Sequence, residues 1–274
     1  MQTENAMNPE IERLRIDYQL AARAYCAALE EENRSRPRKR LDKNCLSYWF
    51  PILKSTGLPV PRTEILSTNV ELLRLCDGQK PEGYDQFIAD LTAMCIGIGT
   101  PVFLRTGQTS GKHYWNETCH VTDLAKLPQH VYQLVEFSAT ADMCGLDDDV
   151  WVAREFIPMY SLFEWFPGKM PINRERRYFI RDGKVVCHHA YWPKDAFGDF
   201  DEKPAPKSIL KKLGILNSET ASEVAELTAM ADTAAKAFDG YWSLDFSQDA
   251  KGKWWAIDMA IGERSYHWPG CTAH

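Results

Sequence analysis

The stretch SLDFSQDAKGKWWAIDMA, residues 243–260, reads as two strands folded back on each other, with one carboxylate on each arm. If Lys251 and Gly252 form a two-residue loop, Asp245 falls directly opposite Asp258. Opposed side chains on neighbouring strands have Cβ atoms about 4.5–5.5 Å apart, and like charges placed that way destabilise the sheet. Lys-Gly is a weaker hairpin signal than Asn-Gly, so a four-residue loop, Asp249 to Gly252, is the other candidate. It makes the two acids diagonal neighbours, about 7–8 Å apart along the backbone. In either register a hard cation offsets the repulsion, and Mg²⁺ takes one or two carboxylates together with phosphate oxygens. The plain alternative is that one acid faces solvent.

Upstream lies a second hairpin, RRYFIRDGKVVCHHAYW (176–192), whose Asp182-Gly183 is a type I′ turn signal. A two-residue turn there pairs Arg177 with His188 and Phe179 with Val186, and puts Arg177, Phe179 and Arg181 on one face. An arginine in that setting is either a snorkelling surface residue or a phosphate clamp. Further upstream, WVAREFIPM (151–159) reads as a strand closed by Pro158, and PVFLRT (101–106) as a strand opening onto the polar loop TGQTSGKHYWN (106–116). Small residues in that loop let backbone N–H groups approach phosphate oxygens, with Lys112 as a point charge. It is not a Walker A loop, because Gly111-Lys112 is followed by His113.

Helical periodicity marks 8–34, where Ile11, Leu14, Tyr18, Ala21, Ala22 and Tyr25 share a face, then a stretch stopped at Gly57, residues 84–96, residues near 128–142, and segments near 206–213 and 218–239. Between Gly57 and the helix over 84–96, PVPRTEI is extended. Mostly antiparallel strands with helices grouped between them predict an α+β fold.

The whole chain, 274 residues with 45% hydrophobic and 26% charged side chains, is that of an ordinary globular protein. A net charge of -6 argues against general binding to nucleic-acid backbones, and the basic run RSRPRKR (34–40) reads as a solvated connector. The eight cysteines stand singly, at 26, 45, 76, 95, 119, 144, 187 and 271, with no C-x-x-C pair, which predicts reduced thiols in a cytoplasmic protein. No apolar run is long enough to span a bilayer. Cys119-His120 and His188-His189 are adjacent pairs that lack zinc-ligand spacing, so structural or surface roles are expected. Trp254 and Trp255 point to opposite faces of their strand and read as packing.

Taken in order, five pieces resemble the ATP-grasp superfamily: NCLSYWFPILKSTGLPVPRTEI, VFLRTGQTSGKH, VAREFIP, ERRYFIRDGKVV and LDFSQDAKGKWWAIDMAIGERS, together spanning roughly residues 45 to 270. The resemblance implies two α+β subdomains closing over ATP and Mg²⁺. It divides the chain into an N-terminal helix and basic connector (1–44), a small pre-ATP-grasp domain (45–100), a small subdomain (101–160) and a large subdomain carrying the metal-binding hairpin (161–274). It makes Asp245 and Asp258 metal ligands, Asp258 standing where Glu is usual. Glu155, Phe156 and Ile157 become adenine or ribose contacts, Lys112 a cover for the β- and γ-phosphates, and Arg177 a grip on the phosphates or an acyl-phosphate. Ser265 matches a serine facing the acceptor. Arg105 stands where a strand lysine is usual, as in an arginine-for-lysine clade, and Ala260 stands where an asparagine ligand is usual.

The implied function is a ligase that activates a carboxylate as an acyl-phosphate with ATP and joins it to an amine or similar nucleophile, releasing ADP and phosphate. Its partners are ATP and small-molecule carboxylate and amine substrates, with no membrane and no nucleic acid. The alternatives are an ATP-grasp kinase and a catalytically reduced nucleotide-binding module, the latter suggested by Ala260. A nucleic-acid ligase is disfavoured because the chain has no K-x-D-G string. His267, and less so His188, are candidates to accept a proton from an incoming amine.

Overall fold

The computed structural model describes Arg13, Ala21 and residues 42–141, 145–198, 205–269 and 271. Apart from Arg13 and Ala21, the helix expected over 8–34 lies outside the described residues, as does the basic run. The chain is α+β and forms two compact units, one containing Arg62–Gly111 and Glu117–Phe156, the other containing Arg40–Pro61, Lys112–Asn116 and Ile157–His274.

The first unit is a four-stranded antiparallel sheet in the order β1 (Thr63–Ser67), β4 (Val150–Glu155), β2 (Val102–Thr106), β3 (His120–Val121). Helices α2 (Tyr84–Ile98) and α3 (Leu127–Thr140) complete it. Leu66, Val102, Leu104, Trp151 and Ala153 alternate onto one sheet face and pack with Phe87, Leu91 and Met94 of α2 and Val131, Leu134 and Val135 of α3. The helices begin and end where local chemistry says they should. Gly83 and Gly99, both at positive φ, bracket α2, and a proline opens α3.

The second unit holds α1 (Leu46–Ser55), the hairpin β5 (Ser161–Trp165) and β6 (Met170–Asn173), and a four-stranded antiparallel sheet in the order β10 (Trp254–Ile261), β9 (Tyr241–Gln248), β7 (Glu175–Arg181), β8 (Lys184–Ala190). Helices α4 (Lys207–Asn217) and α5 (Ala221–Ala235) belong to it as well. Thr220 caps α5 by accepting the Glu223 N–H, a T-x-x-E start. One sheet face is apolar, with Tyr178, Ile180, Leu244 and Phe246 buried on it, and α5 packs across β7 and β8 there. Arg176, fully buried on that face, pairs with Glu219 and Glu223, while Arg174 also reaches Glu223. The edge strand β10 is covered, since Pro59 accepts the Ala256 N–H and Asn44 accepts the Ile261 N–H.

Three expectations need correcting. The β5–β6 hairpin was not foreseen, and β4 ends at Glu155 rather than running to 159. The tip of the β9–β10 hairpin matches neither a two-residue nor a four-residue loop. Asp249 N–H bonds to the Lys253 carbonyl, so Ala250, Lys251 and Gly252 make the turn, with Gly252 at φ 89°. Asp182-Gly183 does form the expected tight turn, both residues at positive φ. A bulge at Val186 then shifts the register, so Arg177 opposes His189, and Phe179 opposes Cys187.

Candidate functional site

The polar face of the second sheet collects the chemistry. A second bulge, between Ala256 and Asp258, restores the pairing that the turn alone would have lost, and Asp258 stands directly opposite Asp245. Across the four strands this gives one row, Asp258, Asp245, Arg177, His189. The row on one side reads Ala260, Ser243, Phe179, Cys187; on the other side Trp255, Ser247 and Glu175 align, with Tyr191 just beyond, its N–H donating to the Glu175 carbonyl.

Arg177 binds Asp245 in a two-pronged ion pair, Nε to Oδ1 at 2.7 Å and Nη2 to Oδ2 at 2.8 Å. Both side chains are largely buried. Burial by itself would depress the guanidinium pKa, but Asp245 and, further off, Tyr191 and Asp258 raise it. In this structure, then, the charge beside Asp245 is an arginine on the adjacent strand. The Tyr191 ring lies 4.6 Å under the Arg177 guanidinium. Lys112 approaches the same ring, and its Nζ donates to Tyr191 Oη at 3.1 Å. Burial disfavours the ammonium, yet Tyr191, Glu175 and Asp245 outweigh it and hold Lys112 charged. Glu175 is buried, and that desolvation raises its pKa against the opposing pull of Lys112. Glu175 Oε2 and Ser247 Oγ, opposed across β7 and β9, are both buried with no hydrogen-bond partner among the described residues. Such orphans are costly unless something else engages them.

Lys112 owes its position to a packed turn rather than to a free loop. Gly168 N–H donates to the His113 carbonyl, Asn116 Nδ2 donates to the Gly168 carbonyl, and the His113 ring stacks on Phe166 at 3.9 Å. The contact is so close that a Cβ on Gly168 would sit 2.2 Å from the Trp115 nitrogen.

The remaining sequence candidates fall as follows. Ser265 Oγ is 2.7 Å from Ser243 Oγ and donates to the Ile261 carbonyl. His267 has both nitrogens engaged, Nε2 with Tyr241 Oη at 2.6 Å and Nδ1 with Cys271 Sγ at 3.3 Å. His188 is not on the polar face. It stacks on Tyr178 and meets Glu219 on the helix-covered side. Arg105, Glu155 and Phe156 belong to the first unit: Arg105 is buried with Nε donating to the Thr106 carbonyl, Glu155 accepts the Arg62 N–H, and Phe156 packs on His120. Ile157 begins the last segment of the second unit.

Sequence reasoning missed Glu175, Tyr191, His189 and Ser247. The first was within reach of the alternation rule, since Glu175 lies two residues before Arg177 on the same strand. His189 was hidden by the bulge at Val186. Its Nδ1 bonds the Ala190 carbonyl, its Nε2 has no partner among the described residues, and burial together with Arg177 lowers its pKa, so the ring is neutral at pH 7.

Residues 95–272 match the family described as the ATP-grasp domain of the arginine-for-lysine clade, family 3. The chain belongs to that family. ATP-grasp domains bind ATP, and the family's chemistry is of the ATP-dependent ligase type. Among solved structures, the chain is similar to the N5-carboxyaminoimidazole synthase of Aspergillus clavatus in complex with ADP and 5-aminoimadazole ribonucleotide (13% identity, TM-score 0.45). It is also similar to Cdc123 from Schizosaccharomyces pombe, at 12% identity and TM-score 0.47, over 80% of this chain and 83% of that one. A third similarity is to the D-alanine–D-alanine ligase of Bacillus anthracis complexed with ATP, at 14% identity and TM-score 0.42, over 79% of this chain and 54% of that one. The match to the Aspergillus synthase covers 79% of this chain but 43% of that protein. No curated protein sequence matches this ATP-grasp chain. Among its described residues no helix is long and apolar enough to cross a membrane.

Proposed function

We propose that this ATP-grasp protein is a Mg²⁺-dependent ligase that activates a carboxylate as an acyl-phosphate and joins it to an amine or similar nucleophile, releasing ADP and phosphate. The observation that carries the reading is the row Asp258, Asp245, Arg177, His189 on one sheet face, with Lys112 held near Glu175 and Asp245.

The donor set fits a hard divalent cation. Asp245 and Asp258 are opposed on adjacent strands, and the two Asp245 oxygens, each accepting one Arg177 N–H, keep a further lone pair each. Glu175 Oε2 and Ser247 Oγ lie one row away without hydrogen-bond partners among the described residues. Ala260 supplies no oxygen, so water completes the shell. When bound, Mg²⁺ neutralises phosphate charge and offsets the carboxylate repulsion.

The chain's own residues do the rest. Arg177 and Lys112, both held cationic, orient the transferring phosphoryl group and the acyl-phosphate, a reaction in which alignment and charge neutralisation supply most of the rate. Arg105 adds charge for the phosphates, and Glu155, Phe156 and Ile157 contact adenine or ribose, as the family resemblance implies. Ser265 faces the acceptor. His189, neutral and with Nε2 unprotonated, suits removal of a proton from the attacking amine. His267, whose nitrogens are engaged, is assigned no proton transfer.

Product analysis tests the reading. ADP and phosphate should appear only when both a carboxylic acid and an amine are supplied, and Asp258→Ala should abolish Mg²⁺-dependent turnover while the protein stays folded. An unchanged rate in that variant refutes the metal assignment. Ala260 favours a second reading, a reduced nucleotide-binding module, which predicts ATP binding without turnover. A stable phosphorylated product would instead identify a kinase.

A further inference from the structure

The C-terminal segment crosses back to β8 and meets it through sulfur. Cys187 on β8, and His267 and Cys271 four residues apart on the segment, bring Sγ, Nδ1 and Sγ together within 4.8 Å. The two sulfurs are 3.4 Å apart, and His267 Nδ1 lies 3.3 Å from Cys271 Sγ and 3.9 Å from Cys187 Sγ. The three atoms form a nearly equilateral triangle.

We propose that Cys187, His267 and Cys271 form a zinc site that clasps the C-terminal segment to the sheet. Size supports it: with Zn–S near 2.3 Å and Zn–N near 2.05 Å, the edges of a tetrahedral site are about 3.8 Å between sulfurs and about 3.6 Å from sulfur to nitrogen. Chemistry supports it equally, since two thiolates and one imidazole are a soft to borderline set that suits Zn²⁺ over Mg²⁺. The imidazole is already oriented, because Nδ1 faces the sulfurs while Nε2 meets Tyr241 Oη at 2.6 Å, and an outer hydrogen bond of this kind fixes a metal-bound histidine. The ring is further held by stacking on Phe179 at 3.6 Å. Without a cation the cluster is strained electrostatically: burial, then the neighbouring Cys271, pushes the Cys187 thiol up to about 12. Binding exchanges the two thiol protons for one Zn²⁺, which leaves both protons in solvent and no net charge on the Zn(S⁻)₂ unit. All three residues are half-buried, so water can take the fourth position.

The site shares no ligand with Asp245 and Asp258. Its consequence for the polar face is positional, because the clasped segment begins at Ser265, which is bonded to Ser243. The zinc site thereby fixes the loop proposed to face the acceptor.

The test uses the full chain, reduced, stripped of metal and reloaded with Zn²⁺ alone, then analysed by elemental mass spectrometry after gel filtration. We expect about one equivalent in the native protein and in Cys76→Ser, which alters an exposed free thiol, and none in Cys187→Ser or Cys271→Ser. Should the serine variants fail to fold, the native protein loaded with Co²⁺ should show thiolate charge-transfer absorption, and metal should shield Cys187 and Cys271, but not Cys76, from alkylation. Absence of bound zinc, retention of a full equivalent in both folded serine variants, or a Cys187–Cys271 disulfide as the native state would each overturn the proposal. None of these readouts involves ATP, so they stand or fall apart from the ligase reading.

Discussion

Replacing Arg177 with methionine removes the positive charge beside Asp245 and leaves most of the side-chain volume in place. The consequence follows from burial: the Asp245 side chain is 7% exposed and that of Arg177 14%, so water cannot take over the lost contacts. Removing one partner of a buried ion pair costs about 3–5 kcal/mol, because the other charge remains desolvated. For a protein of this size each kcal/mol lowers the melting temperature by about 2–4 °C, so Arg177→Met should melt about 6–20 °C lower. Asp245→Asn should cost less, about 1–3 kcal/mol, the range for an imperfectly satisfied buried group. That variant keeps Arg177 close to Asp258 and removes the repulsion between the two acids. The asymmetry is the diagnostic. In Arg177→Met two opposed carboxylates face each other with their arginine gone, so Mg²⁺ should raise its melting temperature more than it raises that of the native protein, while NaCl at equal ionic strength should not. Thermal and urea denaturation at pH 7 measure all of this without any assay of turnover. The reasoning is refuted if Arg177→Met is within about 1 kcal/mol of the native protein, or if Asp245→Asn is the worse of the two.

Two further substitutions probe how the site is held. Gly168→Ala would drive a methyl group to 2.2 Å from the Trp115 nitrogen and 2.4 Å from the Tyr114 carbonyl carbon, so the Lys112 turn must shift. It should cost about 1–3 kcal/mol and weaken ATP binding, whereas Gly214→Ala, in open space on α4, should be neutral or stabilising in the same melting and nucleotide-titration assays. Asp249 accepts the N–H groups of Lys251 and Lys253 and the Trp255 indole N–H, which keep its pKa low although burial opposes them. A depressed carboxylate stabilises the fold above its unfolded value, near 3.8, and loses that contribution as pH falls through its folded value. Asp249→Ala should therefore lower the melting temperature at pH 7, by roughly the 1.5–3 kcal/mol of hydrogen bonds to a charged group, and the gap to the native protein should close as the pH is lowered; a gap independent of pH contradicts the assignment.

Much of the second unit was legible because its signals are local. Asp182-Gly183 announces a tight turn by chemistry alone, T-x-x-E opens α5, and glycines end α1 and α2 where apolar periodicity stops. The opposed aspartates were legible too, but for an incomplete reason: a turn of three residues would by itself have set Ile257 against Asp245. The partner of each functional residue was harder to read. Nothing in RRYFI separates Arg176, which pairs with Glu219 and Glu223 on the helix-covered face, from Arg177, which grips Asp245 on the other. Strand parity assigns them to opposite faces but does not say which face the helices cover. The cysteine triad escaped for a similar reason, because its ligands are 80 and 84 residues apart in sequence and only the return of the chain to β8 joins them.

Both bulges lie on the outer strands, and together they decide what the polar face contains. Had β8 continued in the register of its turn, His188 would oppose Arg177 and Val186 would oppose Phe179, which puts a histidine and a valine where His189 and Cys187 now stand. Had β10 done the same, Ile257 would oppose Asp245, and Asp258 would point to the side where Ala256 and Met259 are buried. The central pair, β7 and β9, has no bulge, so Arg177 and Asp245 are aligned by regular pairing alone. The regular strands thus supply a fixed ion pair, and each irregular neighbour turns one more reactive side chain toward it. A single-residue shift in an edge strand changes the face of every side chain beyond it, which lets a bulge bring a carboxylate or an imidazole into a row that regular pairing would deny it. The order of residues along a strand is therefore insufficient to name the residues of this site; the count of residues between turn and bulge is the quantity that fixes them.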